Sequence, residues 1–332
     1  MGVTLRDVAA YAGVSFKTVS NVINNHPHVT EKTRAKVLTA IEALQYRPNQ
    51  TARSLRHGRS GFLALAVPEL ASPYFSSLAS EVSQAAKAYG RTVVIEETAG
   101  DLGREREALD ELTTRLVDGI IFSPLATPRT VVEERLGTTP LVMIGEHRHP
   151  LAADHVAMDS VRAARVMTEH LLATGRRQIA TIGYEPEGGT GGQRWLGYLQ
   201  ALDAAGLAPA PGLAAEVEAF RREDGARAMA RLLDRPEPID AVLCFNDLLA
   251  LGAMRTLREA RVAIPETIAV AGFDNIEDGR FAHPTLTTVA PDVQFLATEA
   301  VRLLVRRAEQ PTAPAEHVEV PFTIEVRQST TS

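Results

Sequence analysis

From residue 61 onward, short apolar runs rich in β-branched residues alternate with helical stretches, and no other feature limits the fold as much. The runs Phe62–Val67, Thr92–Ile95, Gly119–Phe122, Leu141–Ile144, Ile179–Gly183, Ala241–Phe245 and Ile268–Phe273 read as strands. Helical patterns cover residues 75–88, 104–116, 160–173, 192–205, 223–233, 247–259 and 292–309. A strand that is apolar along its whole length is buried on both faces, the condition of a parallel sheet covered by its own crossover helices. The class is α/β. Seven or more strand–helix units in 272 residues fit one closed barrel or two doubly wound lobes, and spacing alone does not choose between them.

At 332 residues there is room for two or three domains. A content of 45% hydrophobic and 23% charged residues excludes global disorder. The single cysteine excludes a disulfide framework, and Cys244 sits in an apolar run as an inert buried thiol does. No stretch approaches the roughly 20 apolar residues of a membrane helix, and no secretory signal is visible. A cytoplasmic location is expected.

The net charge of −6 is unevenly placed. Residues 1–60 hold nine basic and three acidic side chains, a balance of +6 that leaves −12 for the rest. A basic head on an acidic body points to a polyanion as the partner of the head alone.

Three short helical patterns fill that head. Thr4 is a natural N-cap with Asp7 three residues on, and Leu5, Val8 and Ala9 form one apolar stripe. Gly13 suits a tight turn, Ser15 caps a second helix with Val19, Val22 and Ile23 inward, and Thr30 caps a third with Val37, Ile41 and Leu44 inward. Helix, short turn, helix and supporting helix is the helix-turn-helix plan. The second helix turns Phe16, Lys17, Ser20 and Asn21 away from its apolar stripe, near the end that a recognition helix inserts into the major groove. Lys17 suits guanine O6/N7, Asn21 an adenine edge and Phe16 a thymine methyl, while the Ser15, Thr18 and Ser20 hydroxyls suit phosphate oxygens. Residues 48–60 contain Ala52, Leu55 and three arginines but too few apolar side chains to bury a helix alone. Such a segment suits folding against DNA, with Leu55 as a minor-groove wedge.

Thr4-Leu5-Arg6-Asp7-Val8-Ala9, Ala12-Gly13-Val14-Ser15, Thr18-Val19-Ser20, Val22-Ile23-Asn24, Arg47-Pro48-Asn49 and Ala52-Arg53-Ser54-Leu55 together resemble the lactose-repressor (LacI/GalR) family of bacterial regulators. The body is similar to that family through Val117-Asp118-Gly119-Ile120-Ile121, Asn246-Asp247, Gly272-Phe273-Asp274 and Leu286-Thr287-Thr288-Val289. The resemblance implies a helix-turn-helix headpiece over 1–47, a hinge helix over 48–60, and two Rossmann-like lobes like those of periplasmic sugar-binding proteins. It places the lobes at 61–158 with 290–316 and at 159–289 with 317–332, so the chain crosses near 159, 289 and 317. It also implies DNA contacts from Thr4, Ser15, Phe16, Lys17, Thr18, Ser20, Asn21 and Asn24, and from Asn49, Ala52, Arg53, Leu55 and Arg56 in the hinge. Asn21 stands where the family often has arginine, which implies a different half-site sequence.

Ligands of open α/β sheets sit beyond the carboxyl ends of strands. There lie Tyr74 and Phe75, Ser123, Glu146 with His147, Asn246 with Asp247, and Asp274, while Arg194 and Trp195 open a helix. Arginine, carboxylates, an amide and aromatic rings make a sugar-type constellation. Asp247 is equally a helix cap. By resemblance Arg194, Asn246 and Asp274 are effector ligands, Phe220 is a stacking ring, Tyr74 and Phe75 line the cleft, and Trp195 packs the lobe. The Glu146-His147 pair departs from the family's commoner acid–arginine pair.

An enzyme is the first rival. Gly188-Gly189-Thr190-Gly191-Gly192 lacks the lysine of a P-loop and the spacing of a dinucleotide fingerprint, and reads as a cleft loop. No histidine pair has metal-ligand spacing and no serine sits in a nucleophile elbow, so neither cofactor nor metal is expected. An exported transport protein is the second rival, and the basic head argues against it. The expectation is an effector-responsive repressor of a palindromic operator. With no heptad tail after the final strand Phe322–Arg327, it is expected to be a homodimer. A sugar is the favoured effector and a purine or nucleoside the alternative.

Overall fold

A computed structural model of the protein describes residues 3–23, 26–46, 60–114, 117–137, 139–146, 153–185, 189–209 and 211–331. The chain divides into two compact units, residues 1–60 and 61–332.

In the first unit, α1 (Leu5–Ala12), α2 (Phe16–Ile23) and α3 (Glu31–Ala43) each begin just after a capping side chain. Thr4 and Asp7 form a reciprocal capping box, with the Thr4 N–H donating to the Asp7 carboxylate at 2.7 Å. The Thr4 hydroxyl and then its N–H hold the Asp7 carboxyl below its ordinary range. Ser15 Oγ accepts from Thr18 N–H at 3.1 Å and Thr30 Oγ1 from Thr33 N–H at 3.4 Å. Gly13 closes α1 at φ 65°, a left-handed conformation that suits glycine. Val8, Val19, Val22, Val37, Ala40 and Tyr46 form the buried core, with Leu5, Ile23, Ile41 and Leu44 packed at its edge.

The second unit holds two six-stranded sheets. The first is built from β1 (Phe62–Val67), β2 (Thr92–Glu97), β3 (Ile120–Phe122), β4 (Leu141–Ile144), β5 (Asp154–Met158) and β11 (His317–Val320), in the order β11-β5-β4-β3-β1-β2 with all pairs parallel. Its helices are α4 (Pro73–Ala88), α5 (Leu102–Thr114), α6 (Arg129–Arg135) and α12 (Val293–Glu309). The second sheet repeats the order with β6 (Ile179–Tyr184), β7 (Ala214–Glu216), β8 (Ala241–Cys244), β9 (Ala269–Phe273), β10 (Thr287–Pro291) and an antiparallel β12 (Phe322–Glu325), giving β12-β10-β9-β8-β6-β7. Its helices are α7 (Ser160–Ala173), α8 (Gly189–Ala204), α9 (Arg222–Leu233), α10 (Asp247–Glu259) and α11 (Glu277–Phe281). Gly225 on α9 and Gly252 on α10 let these two helices meet backbone to backbone; a Cβ at either would strike a carbonyl, of Leu249 or Arg222 respectively. The sheets are therefore two lobes, not one barrel.

Both lobes reverse strand order next to their first strand, between β1 and β3 and between β6 and β8. Such a reversal opens a crevice at the carboxyl ends of the strands. The chain crosses between lobes at Asp159, Asp292 and Pro321. The latter two lie beyond the expected 289 and 317, because β10 runs on to Pro291 and β11 still pairs with β5. Asp159 and Asp292 each cap the helix that follows, and Asp292 N–H donates to Pro321 O at 2.9 Å, tying two crossings together.

Candidate functional site

In the headpiece, α2 keeps Val19 and Val22 buried and leaves Phe16 and Lys17 exposed at its first turn, with Ser20 and Asn21 half-buried. Phe16 is 38% exposed and is followed on the helix by the exposed Lys17. Thr4 and Ser15 are exposed, and the Ser15 and Thr18 hydroxyls bond each other at 2.8 Å. This is a recognition-helix arrangement: a capped amino end, an apolar seat and polar side chains at the first turns. Asn24, Asn49, Ala52, Arg53, Leu55 and Arg56 lie outside the described residues, as does His147.

Between the two lobes of the second unit is a cavity of about 440 Å³. Tyr74, Phe75, Ser123 and Glu146 reach it from the first lobe, and Arg194, Phe220, Asn246 and Asp274 from the second. Ala157, Met158 and Pro291, beside two of the crossings, are also on its wall. All eight residues picked from strand ends and family pattern thus meet at one place.

Arg194 is the centre of the cavity's charge. Its side chain is only 5% exposed. It donates to the Glu146 carboxylate and to the Phe245 carbonyl, and its guanidinium lies 4.1 Å from the Phe273 ring centroid. Burial works against its charge, but Glu146 and Asp274 outweigh burial and hold it protonated. Gln193 donates its amide to the Glu146 carbonyl, a second link across the lobes. Arg221 and Glu69 make a third at 3.1 Å, where the cavity meets solvent.

Asp274 stands at φ 101° and Asn275 at φ 54°, left-handed conformations that non-glycine residues adopt only when held. Asp274 N–H donates to Val289 O at 2.9 Å, Asn275 N–H donates to the Thr288 hydroxyl at 3.3 Å, and Arg327 donates to Asn275 Oδ1 at 2.6 Å. Asp247 braces the same turn, accepting from Ile276 N–H at 2.9 Å and from the Thr288 hydroxyl at 2.7 Å. Burial, then the charge of Asp274, pushes the Asp247 carboxyl up. Burial likewise raises Asp274 to about 6 against the pull of Arg194, with Glu146 adding to the rise. Burial, Asp274 and Glu146 push the Tyr74 phenol up, so it is neutral and able to donate. Its ring meets Phe75 edge to face at 5.2 Å.

Two sequence expectations change here. The cap of α10 is Asn246, not Asp247: Asn246 Oδ1 accepts from Leu249 N–H at 2.8 Å and its amide donates to Phe220 O at 3.0 Å. Asn246 thereby fixes the loop that carries Phe220. Nor is Gly189–Gly192 a loop, since it is the first turn of α8, with Gly191 N–H donating to Glu185 at 2.8 Å. Trp195 stacks on Tyr198 at 4.9 Å and is not among the cavity's residues, as a packing residue should be. Gln193, Glu69, Arg221 and Glu185 were not picked from the sequence. Glu69 and Glu185 come within two residues of the ends of β1 and β6, as Glu146 does after β4.

Residues 4–49 match the family model of bacterial regulatory proteins, lacI family, and residues 168–330 match a periplasmic binding protein-like domain. The chain is 32% identical to the ribose operon repressor of Halalkalibacterium halodurans over 98% of its own length and 97% of that protein's. The chain belongs to the LacI family. This LacI-family chain also matches the crystal structure of the lac repressor dimer bound to operator and the anti-inducer ONPF, with a TM-score of 0.91 and 27% identity over 100% of both chains. It matches the CelR–cellobiose complex with a TM-score of 0.75 and 32% identity, over 98% of this chain and 99% of that one. The LacI-family protein is a DNA-binding transcriptional regulator and not an enzyme. Among the described residues no helix is long and apolar enough to cross a membrane, and no group of His, Cys, Asp or Glu could hold a metal ion.

Proposed function

We propose that this regulator acts in the cytoplasm as a homodimeric repressor of a palindromic operator, and that a sugar in the interlobe cavity sets its affinity for DNA. Lys17 and Asn21 read bases, and the first-turn hydroxyls with Thr4 fix register on phosphates. By sequence resemblance the hinge residues, with Leu55 as wedge, add minor-groove contacts. The observation that carries the effector reading is the meeting of Arg194, Asp274 and Glu146 with Tyr74, Phe75 and Phe220 around one cavity shared by two lobes. Carboxylates accept from vicinal hydroxyls, arginine donates to ring or hydroxyl oxygens, and an aromatic ring covers an apolar sugar face. Two of its relatives, a ribose operon repressor and a regulator solved with cellobiose, favour a sugar. The three rings also fit a nucleobase, which keeps a nucleoside as the second reading.

The test is operator selection from random duplex, followed by titration of the selected fragment with and without a sugar and nucleoside panel. One fragment bound above random duplex, with an affinity moved by a sugar, is the expected result. Coupling of about 1–3 kcal/mol, or roughly 5–150-fold, is the usual scale. Arg194→Ala should keep operator binding and abolish the response. A normal response in that variant removes the cavity from the mechanism.

A further inference from the structure

We infer that Arg327, which lies outside the cavity, is a positioning residue for effector recognition: it locks the turn that presents Asp274, and the polar segment after β12 is its mount. The inference rests on the cavity being the effector site.

Arg327-Gln328-Ser329-Thr330-Thr331 has the composition of a solvated tail, yet Ser329 and Thr330 are buried. Ser329 O accepts from Val270 N–H, and Ser329 N–H donates to Thr285 O, both at 2.9 Å. Ser329 Oγ donates to Val270 O at 2.6 Å and accepts from Thr287 N–H at 2.8 Å. Thr287 Oγ1 accepts from Arg327 N–H at 2.8 Å, and Thr330 Oγ1 bonds His170 Nε2 at 2.9 Å. Val270 belongs to β9 and Thr287 to β10, the strands on either side of the Asp274 turn. The segment is therefore bolted to both, through buried bonds that are costly to break.

From that mount the Arg327 guanidinium forks. Nη1 donates to Leu286 O at 2.8 Å and Nη2 to Asn275 Oδ1 at 2.6 Å, with Glu325 farther off at 3.7 Å. One prong holds the residue before β10, and the other holds the residue after Asp274. None of Arg327, Asn275 and Leu286 is on the cavity wall. A planar fork fixes the spacing of two acceptors, which a lysine ammonium on a flexible stem does not.

The spacing matters because Asp274 and Asn275 stand at φ 101° and 54°. Two successive left-handed residues relax to commoner conformations unless held. Val289 O and the Thr288 hydroxyl grip their N–H groups from β10. Arg327 grips the Asn275 side chain. Relaxation of Asn275 turns the peptide that joins it to Asp274, and so swings the Asp274 carboxylate relative to Arg194. Recognition geometry tolerates a shift of only about 0.5 Å.

The test uses the full chain and calorimetry with ribose, glucose, cellobiose and adenosine, the member bound by the unaltered chain serving as probe. Arg327→Met should weaken its Kd by on the order of tenfold. Arg327→Lys, milder for folding, reaches one acceptor at a time and should weaken it several-fold. Asn275→Gly takes the left-handed conformation freely but offers no acceptor. In that background Arg327→Met should change Kd by less than about twofold. Arg176→Met is the control. Arg176 also donates to backbone carbonyls, those of Asp240 and Thr267, but at the amino ends of β8 and β9, away from the cavity. It should lower the urea midpoint and leave Kd unchanged. An unchanged Kd in both Arg327 variants, an undiminished loss in the Asn275→Gly background, or an equal loss of affinity in Arg176→Met overturns the role of Arg327 and leaves the effector site standing. A Kd untouched by Asp274→Asn, or no binding across the panel, overturns the effector site, and the role of Arg327 falls with it.

Discussion

Glu146 and Arg194 stand on opposite lobes and meet in a buried ion pair that spans the cavity. Glu146 lies two residues past β4, and Arg194 is five residues past the start of α8, so each charge is fixed by a rigid element of its own lobe. Arg194 also donates to Phe245 O within its lobe, and Gln193 reaches back to the Glu146 backbone. Side chains that line the cavity thus also hold its two walls together.

The pair should respond unequally to losing either member. Arg194→Ala leaves Glu146 and Asp274 facing each other without a cation, and should cost on the order of 3–5 kcal/mol in urea unfolding. Glu146→Gln leaves Arg194 with Asp274 still nearby, and should cost about 1 kcal/mol. Equal losses would mean that Asp274 does not share the guanidinium.

Asp274 gives a pH signature. Its carboxyl titrates at about 6 in the fold, against an ordinary 3.8. A raised acid costs the fold stability above the folded value, where it must ionise in place, and the cost vanishes as pH falls through 6 towards 4. Asp274→Asn should therefore stabilise the ligand-free protein at pH 7–8 by on the order of 1–3 kcal/mol. The advantage should fade below pH 4. Denaturant midpoints of both proteins between pH 4 and 8 check it; an advantage that grows on acidification has the wrong sign.

Much of the lobe architecture was legible because β1, β4, β8 and β9 are apolar throughout and β6 nearly so. β5 was not, because it opens with Asp154 and His155. Asp154 is fully buried and reads as a loop residue until Arg306 and Arg307 of α12 are seen to pair with it at 2.8 Å. β7 and β11 are edge strands whose alternating exposure makes no apolar run. The site was legible one residue at a time, since each candidate follows a strand or opens a helix. The partnerships were not: Arg221 finds Glu69 at a sequence distance of 152, and only topology brings them together.

Glu105 should prove sensitive while lying behind the wall. Its fully buried carboxylate accepts from the N–H groups of Leu125, Ala126 and Thr127 and from the Thr127 hydroxyl, at 2.5 to 3.3 Å. It thereby shapes the loop after Ser123. Glu105→Gln turns an acceptor into a donor among donors and should cost roughly 1.5–3 kcal/mol. Chemical denaturation measures it, and an unchanged midpoint would show that the loop holds itself.

Lys17→Ala should cost about 1–3 kcal/mol of operator affinity and relax base preference at one position of the half-site. Repeating the selection with the variant reads this directly. A uniform loss across all sequences would make Lys17 a phosphate contact instead.

The hydrogen bond from Asp292 to Pro321 has a mechanical consequence. With two of the three chain passages joined at the cavity floor, relative motion of the lobes pivots there. Gly61, at the amino end of β1, is about 20 Å of strand away from that floor. It sits on a lever arm, so an angular change at the cavity becomes a displacement of ångströms at the residue where the body takes over from the sixty residues before it.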